Sequence, residues 1–210
     1  MDNEPERPEL RVTVFSDYIC PFCFIGSRRL LRLNEAFELR VNWCGVEIHP
    51  ETPPAGMPVA RLGYEPAQWT AMMENLQHMA ADDGLVLREH DFTTNSHKAL
   101  LLADSAKEAG REPFYALHEG LFRAFHVEGK NIGDESVLRR LSTEAGIPKA
   151  MVERAWRDER FEERLRQNLQ AAAQIGLRGT PTFLIGRQVI AGAIPYSQLE
   201  LAARLAAAEG

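Results

Sequence analysis

Ser16-Asp17-Tyr18-Ile19-Cys20-Pro21-Phe22-Cys23 joins two stretches of opposite character. Before it, Leu10 to Phe15 (LRVTVF) is short and β-branched and reads as a buried strand, with Ser16-Asp17 as the turn at its end. After it, Phe24, Ile25, Leu30, Leu31, Leu33 and Phe37 supply the apolar face of a helix. Pro21 is tolerated in the first turn of that helix, where its missing N–H leaves no bond unmade. Leu39 to Ile48 (LRVNWCGVEI) then reads as a second strand, so the chain opens β-α-β with a Cys-x-x-Cys at the strand-to-helix junction.

That position gives the two cysteines different chemistry. Cys20 falls at the helix start, where free N–H groups and the positive end of the helix dipole favour a thiolate, the nucleophilic form. Cys23, one turn in and on the same face, can reach the sulfur of Cys20 and resolve a mixed disulfide. Two cysteines at this spacing can also be small buried hydrophobes. The strand before, the helix after and Pro21 between favour the redox reading.

Farther on, Pro50, Pro53, Pro54, Gly56 and Pro58 crowd a loop. Helical texture begins near Pro66, with helices expected over 66–81, 96–109, 113–125, 135–145 and 149–175. The ending changes again. Thr182 to Ile185 and Val189 to Ala191 flank Gly186-Arg187-Gln188 as a hairpin, and 195–208 reads as a closing helix. A polar tail over 1–8, an α/β unit over 9–62 and 176–210, and a helical insertion over 63–175 are the expected divisions.

The 210 residues are 45% hydrophobic and 26% charged, with a formal charge of −6. This acidity argues against a general nucleic-acid binder, which needs basic groups to neutralise phosphates. No apolar run approaches a membrane span, and the polar, Pro-containing start lacks a secretory apolar segment, so a cytoplasmic protein is expected. Three cysteines do not make a disulfide scaffold. With His49, His78, His90, His97, His118 and His126 scattered, no second ligand cluster completes a metal site.

Taken with Gly179-Thr180-Pro181-Thr182-Phe183 before the hairpin, the opening motif Ser16–Gly26 resembles the DsbA-like branch of the thioredoxin superfamily, and within it the cytosolic FrnE-like proteins. Leu121–His126, Glu128–Asp134 and Ala191–Ala193 extend the likeness over nearly the whole chain. The resemblance implies a thioredoxin fold with a central mixed sheet and a large all-helical insertion. It implies Cys20 as attacking thiol, Cys23 as resolving thiol and Pro181 as a cis-proline beside them. Pro21, Phe22, Gly179 and Thr180 would contact substrate, with Thr180 offering backbone to a bound peptide. Protein thiols and disulfides are the implied partners, with glutathione as a small redox partner and no cofactor required. Many relatives carry Pro-Trp or Pro-His between the cysteines, where this chain has Pro21-Phe22.

Two other functions compete. A glutathione-dependent isomerase or transferase of the 2-hydroxychromene-2-carboxylate isomerase or kappa-class type shares the architecture, but those proteins carry Ser at the position of Cys20. A chaperone-like binding module would use the helical insertion to grip unfolded chains. Asp17 reads as a turn or cap residue, with an influence on Cys20 as the alternative. Arg28 and Arg29 read as a solvated face, Cys44 as strand packing or a third redox partner, His49 as a surface residue with a place along the cleft as the alternative, and Asn95 as a helix cap. His126 receives no role. Trp69, Met72, Met73, Leu76 and Met79 form a stripe that reads as core of the insertion, with a binding face as the alternative. The Arg and Glu residues over 153–166 read as a charged solvent face.

Overall fold

A computed structural model describes residues 7–89 and 91–209, so most of the expected tail (1–6) and His90 lie outside the described residues. Strand β1 (Glu9–Ser16) alternates its side chains as a pleated strand must. Leu10, Val12 and Val14 enter the main core, whereas Phe15 joins a smaller cluster. Helix α1 (Pro21–Arg32) buries Cys23, Phe24, Ile25 and Leu30. It returns the chain to β2 (Glu38–Gly45), which pairs with β1 in parallel from Glu9↔Glu38 to Ser16↔Gly45. A parallel pair needs such a crossover.

Strand β5 (Thr182–Ile185) adds antiparallel to the other edge of β1, and β6 (Gln188–Ala191) adds to β5, giving the order β2-β1-β5-β6. Helix α8 (Tyr196–Glu209) closes the chain against α1, β1 and β5. The expected β-α-β and β-β-α halves therefore share one mixed sheet centred on β1.

Between β2 and β5 lie α2 (Pro66–Asp82), α3 (His97–Ala106), α4 (Arg111–His126), α5 (Glu135–Glu144), α6 (Lys149–Ala155) and α7 (Glu159–Gln174). A two-residue antiparallel ladder, β3 (Met57–Pro58) with β4 (Phe92–Thr93), is the one strand pairing described in this region. The single helix expected over 149–175 is two. Helix α6 ends at Ala155 with Trp156 as its C-cap, and Asp158 caps α7 by accepting from the Arg160 N–H at 3.1 Å. The core runs continuously from the sheet into these helices, with Trp43 and Phe24 in the same cluster as Leu117, Phe122 and Phe161.

Candidate active site

The junction ends as its sequence suggests. Cys20 is the N-cap of α1 with extended backbone (φ −87°, ψ 114°), and Pro21 occupies the first turn. Placing Cys20 there leaves the first N–H groups of the helix without intrahelical partners. The Cys23 amide donates to the Cys20 carbonyl at 3.0 Å and also interacts with the Cys20 sulfur. The Cys20 Sγ also lies 3.5 Å from the Thr180 carbonyl oxygen. Both cysteines are buried and unbridged.

Two identical thiols are thereby driven apart. The hydrogen bond from Cys23 holds Cys20 below the ordinary thiol range, against the opposing effects of burial and the nearby Asp17 charge. Burial first, and then the neighbouring Cys20, push Cys23 well above that range. The thiolate is therefore favoured on Cys20 over Cys23.

The far side of the pair is supplied by the end of the chain. The Thr180–Pro181 peptide is cis. Pro181 reaches α1 because Gly26 has no side chain. A Cβ there would stand 2.9 Å from Pro181 Cγ and 3.0 Å from Phe183 Cζ. The Thr182 hydroxyl donates to the Gly179 carbonyl at 2.8 Å, which turns the chain into β5.

Helix α4 holds the approach to Cys20. Its His118 bonds the Tyr18 hydroxyl through Nδ1 (2.9 Å) and the Ser27 hydroxyl through Nε2 (2.8 Å), and burial depresses His118 to about 3. A neutral imidazole can donate at one nitrogen and accept at the other, which satisfies both hydroxyls. About two turns later, His126 Nε2 donates to the Tyr18 carbonyl at 2.9 Å. The residue two before Cys20 is therefore gripped at side chain and backbone. His126, without a role on sequence grounds, thus holds the backbone leading into Cys20.

Asp17 is wholly buried, so it is more than a turn residue. Its carboxylate accepts from the Ile19 N–H (3.3 Å) and, across the loop, from the Ile48 N–H (2.9 Å). Burial raises it to about 6 despite these bonds. Arg29 is also corrected. It is 4% exposed and forms an ion pair with Asp83 at 2.6 Å, while donating to the carbonyls of Ala193, Ile194 and Met79. Arg28 keeps the expected half-exposed position, paired with Glu119.

A cleft of about 530 Å³ opens beside Cys20. Pro21 and Phe22 line it, whereas Gly179 and Thr180 do not. The stripe Trp69, Met72, Met73 and Leu76 on α2 faces this cleft, while Leu76 and Ala80 also pack on Ile25. His49 lines it too, instead of standing on the open surface, and its Nε2 bonds the Tyr64 hydroxyl at 3.2 Å. The N-cap of α3 is Ser96 rather than Asn95, which stands one residue earlier and accepts from the His97 N–H through Oδ1 at 2.9 Å. Cys44 packs with Phe15, Val46 and Ala172, in a cluster separate from that of Cys20 and Cys23.

A sheet of this order, with paired cysteines opening the first helix and an X-Pro peptide against them, defines a protein of the thioredoxin fold. The chain belongs to the DsbA-like thioredoxin family: residues 11–204 match the family described as a DSBA-like thioredoxin domain. It is 29% identical over 187 residues to an uncharacterized protein, YwbO, of Bacillus subtilis (strain 168), covering 88% of this chain and 90% of the relative. The crystal structure of a probable DsbA oxidoreductase from Streptomyces coelicolor superposes with a TM-score of 0.83 at 27% identity, covering 96% of this chain and 92% of that one. A 2-hydroxychromene-2-carboxylate isomerase shares the fold at 20% identity, with a TM-score of 0.72 over 95% of this chain and 97% of that one. Among the described residues no helix is long and apolar enough to cross a membrane.

Proposed function

We propose that the protein is a thiol–disulfide oxidoreductase of the FrnE-like kind, working through Cys20 and Cys23 in the cytoplasm. The observation that carries this reading is the geometry at the start of α1: Cys20 as its N-cap, Cys23 one turn in on the same helix, and the Thr180 carbonyl 3.5 Å from the Cys20 sulfur. In the reducing direction the Cys20 thiolate attacks one sulfur of a substrate disulfide. The substrate S–S bond breaks, and the departing sulfur leaves with the electron pair and takes up a proton. Cys23 then gives up its proton and attacks Cys20, releasing the second substrate thiolate and forming the Cys20–Cys23 disulfide. The substrate gains two electrons and the protein loses two. The reverse sequence oxidises a dithiol.

Pro181 and the Thr180 carbonyl would stand opposite the reacting sulfur, with Pro21, Phe22 and Gly179 completing the contact surface for protein thiols and disulfides. The exchange calls for no metal or organic cofactor, and glutathione would serve as the small partner that resets the dithiol. The 2-hydroxychromene-2-carboxylate isomerase likeness is one of fold, and a site that only activates a bound thiol has no use for a resolving sulfur.

The test is insulin reduction and refolding of scrambled disulfide-bonded protein by three proteins: the unchanged chain, Cys20→Ser and Cys23→Ser. Loss of activity in Cys20→Ser and accumulation of mixed disulfides in Cys23→Ser are expected. Full activity in Cys20→Ser would sink the reading.

A further inference from the structure

We infer that Tyr64, backed by His49, hands the departing sulfur its proton when Cys20 attacks a disulfide. This rests on the dithiol reading and deepens it. Cys20 attacks as a thiolate and has no proton to give. It expels the second substrate sulfur with the electron pair. Because displacement at sulfur is in line, that sulfur moves away from Cys20 and α1. On the α1 side stand Cys23 and the Thr180 carbonyl, 3.5 Å from the Cys20 sulfur, and a carbonyl cannot donate. The other side is the cleft, and Tyr64 and His49 are both in its wall with Cys20.

Each of the two is held in place. His49 follows Ile48, whose N–H is bound by Asp17 at 2.9 Å, and the same carboxylate accepts from Ile19, next to Cys20. The nucleophile and the imidazole are thus fixed by one buried group. Tyr64 lies between Gly63, which takes a left-handed φ of 74°, and Glu65, the N-cap of α2. Its ring packs on Trp69 at 5.5 Å between centroids. The His49 Nε2 is 3.2 Å from the Tyr64 hydroxyl, and its Nδ1 is 3.4 Å from the exposed Glu51 carboxylate. Burial first, and then the Cys20 charge, hold the phenol above its ordinary range, so it meets the reaction protonated.

The proton moves in two short steps. With a proton on each nitrogen, His49 turns Nδ1–H to Glu51 and Nε2–H to the phenol oxygen, which leaves the phenol O–H to point at the leaving sulfur. The bond between the two substrate sulfurs breaks, the leaving sulfur takes the phenol proton, and the phenol oxygen takes the Nε2 proton. His49 ends neutral, its Nδ1–H still on Glu51, and water restores the lost proton from the exposed side. In the oxidising direction the same groups accept the proton of an incoming thiol.

The experiment uses two disulfides that leave the same 2-hydroxyethyl adduct on Cys20 and differ in the thiolate expelled. One is bis(2-hydroxyethyl) disulfide, which expels an alkylthiolate. The other is the mixed disulfide of 2-mercaptoethanol with thionitrobenzoate, which expels an arylthiolate that is stable without a proton. Adduct formation at Cys20 is timed by mass spectrometry in the full-length Cys23→Ser protein, alone and combined with Tyr64→Phe or His49→Gln. Tyr64→Phe keeps the ring on Trp69 and removes only the hydroxyl. It is expected to slow the alkyl exchange about 10- to 100-fold, as for a lost hydrogen bond to a charged group, and the aryl exchange less than about twofold. His49→Gln is expected to slow the alkyl exchange selectively and by a smaller factor. Equal slowing of both exchanges by Tyr64→Phe, or no slowing of either, overturns the inference. So does an unselective or absent effect of His49→Gln. Absence of the adduct on Cys20 from both disulfides would instead sink the dithiol reading.

Discussion

Cys20 and Cys44 are almost equally buried, at 5% and 7% exposure, yet their thiols move in opposite directions. At the start of α1, Cys20 receives the Cys23 thiol and amide, and these hold it low. In β2, Cys44 has burial acting on it first, with the Lys107 charge and the Asn42 amide at 3.4 Å in opposition, and it rises. Burial alone therefore does not make a cysteine inert or reactive. What separates the two is the donors that reach each sulfur: the Cys23 thiol and amide at Cys20, and the Asn42 side-chain amide at Cys44.

The largest expected contrast is in exchange activity. Cys20→Ser should reduce it to background, whereas Cys44→Ser should leave the rate of insulin reduction within about twofold, as for a residue that touches no reacting atom. A comparable loss from Cys44→Ser would erase the distinction between the two neighbourhoods.

Alkylation tests the same contrast without removing either sulfur. At pH 7, iodoacetamide should modify Cys20 at least about tenfold faster than Cys44, since the thiolate is the reactive form and access to the two is similar. Peptide mapping over time reads this directly, and equal rates would contradict the opposed shifts. In urea the difference should vanish.

A third and smaller effect concerns the wall behind Cys20. Gly26→Ala inserts a methyl group against Pro181 and Phe183. Overpacking of this kind costs about 1–3 kcal/mol. For a chain of this size that corresponds to roughly 2–4 °C in Tm per kcal/mol, readable by calorimetry. Exchange should slow at the same time, because the segment that moves carries the Thr180 carbonyl 3.5 Å from Cys20. An unchanged Tm would mean that Pro181 gives way freely.

The smallest effect lies on the Cys44 side of the sheet. His97 bonds Glu47 through Nδ1 (3.1 Å) and Glu162 through Nε2 (2.8 Å), tying the segment after β2 to α3 and α7. The Glu47 bond is the main cause of its rise to about 9. Because the folded value lies above the unfolded one near 6.5, this contribution is fully present below about pH 6.5 and is lost as pH rises through about 9. Half-exposed pairs of this type are each worth about 0.2–1 kcal/mol. Urea melts at pH 6 and pH 9.5 should show a stability difference that shrinks in His97→Gln. An identical difference in both proteins would remove His97 from the account.

The sequence made the sheet and the first helix readable because each has a local signature: a short β-branched run in β1, Pro21 opening α1, and a Gly-Arg-Gln turn in the hairpin. The break between α6 and α7 was hidden by the charged residues on both sides of it, which keep helical spacing straight through Trp156 and Arg157. Asp158, with Glu159 and Glu162 in the following turn, was the available start signal. Arg29 was unreadable for a different reason. Its partners come from Met79, Asp83, Ala193 and Ile194, so nothing near it in the chain marks it as buried. The cleft was legible only as an alternative reading of His49 and of the α2 stripe, since these and Tyr64 meet only in three dimensions.

The distance in sequence between Cys20 and Thr180 sets a timetable as well as a topology. The two are 160 residues apart, and all of α2 to α7 is made between them. At about 5–20 residues per second, a ribosome spends roughly 8–32 seconds on that interval. Through it the dithiol exists on a growing polypeptide with neither its carbonyl partner nor β5 beside it. Each molecule thus passes through a brief early life in which its cysteines are ordinary nascent-chain thiols, open to whatever oxidants and thiols surround the ribosome.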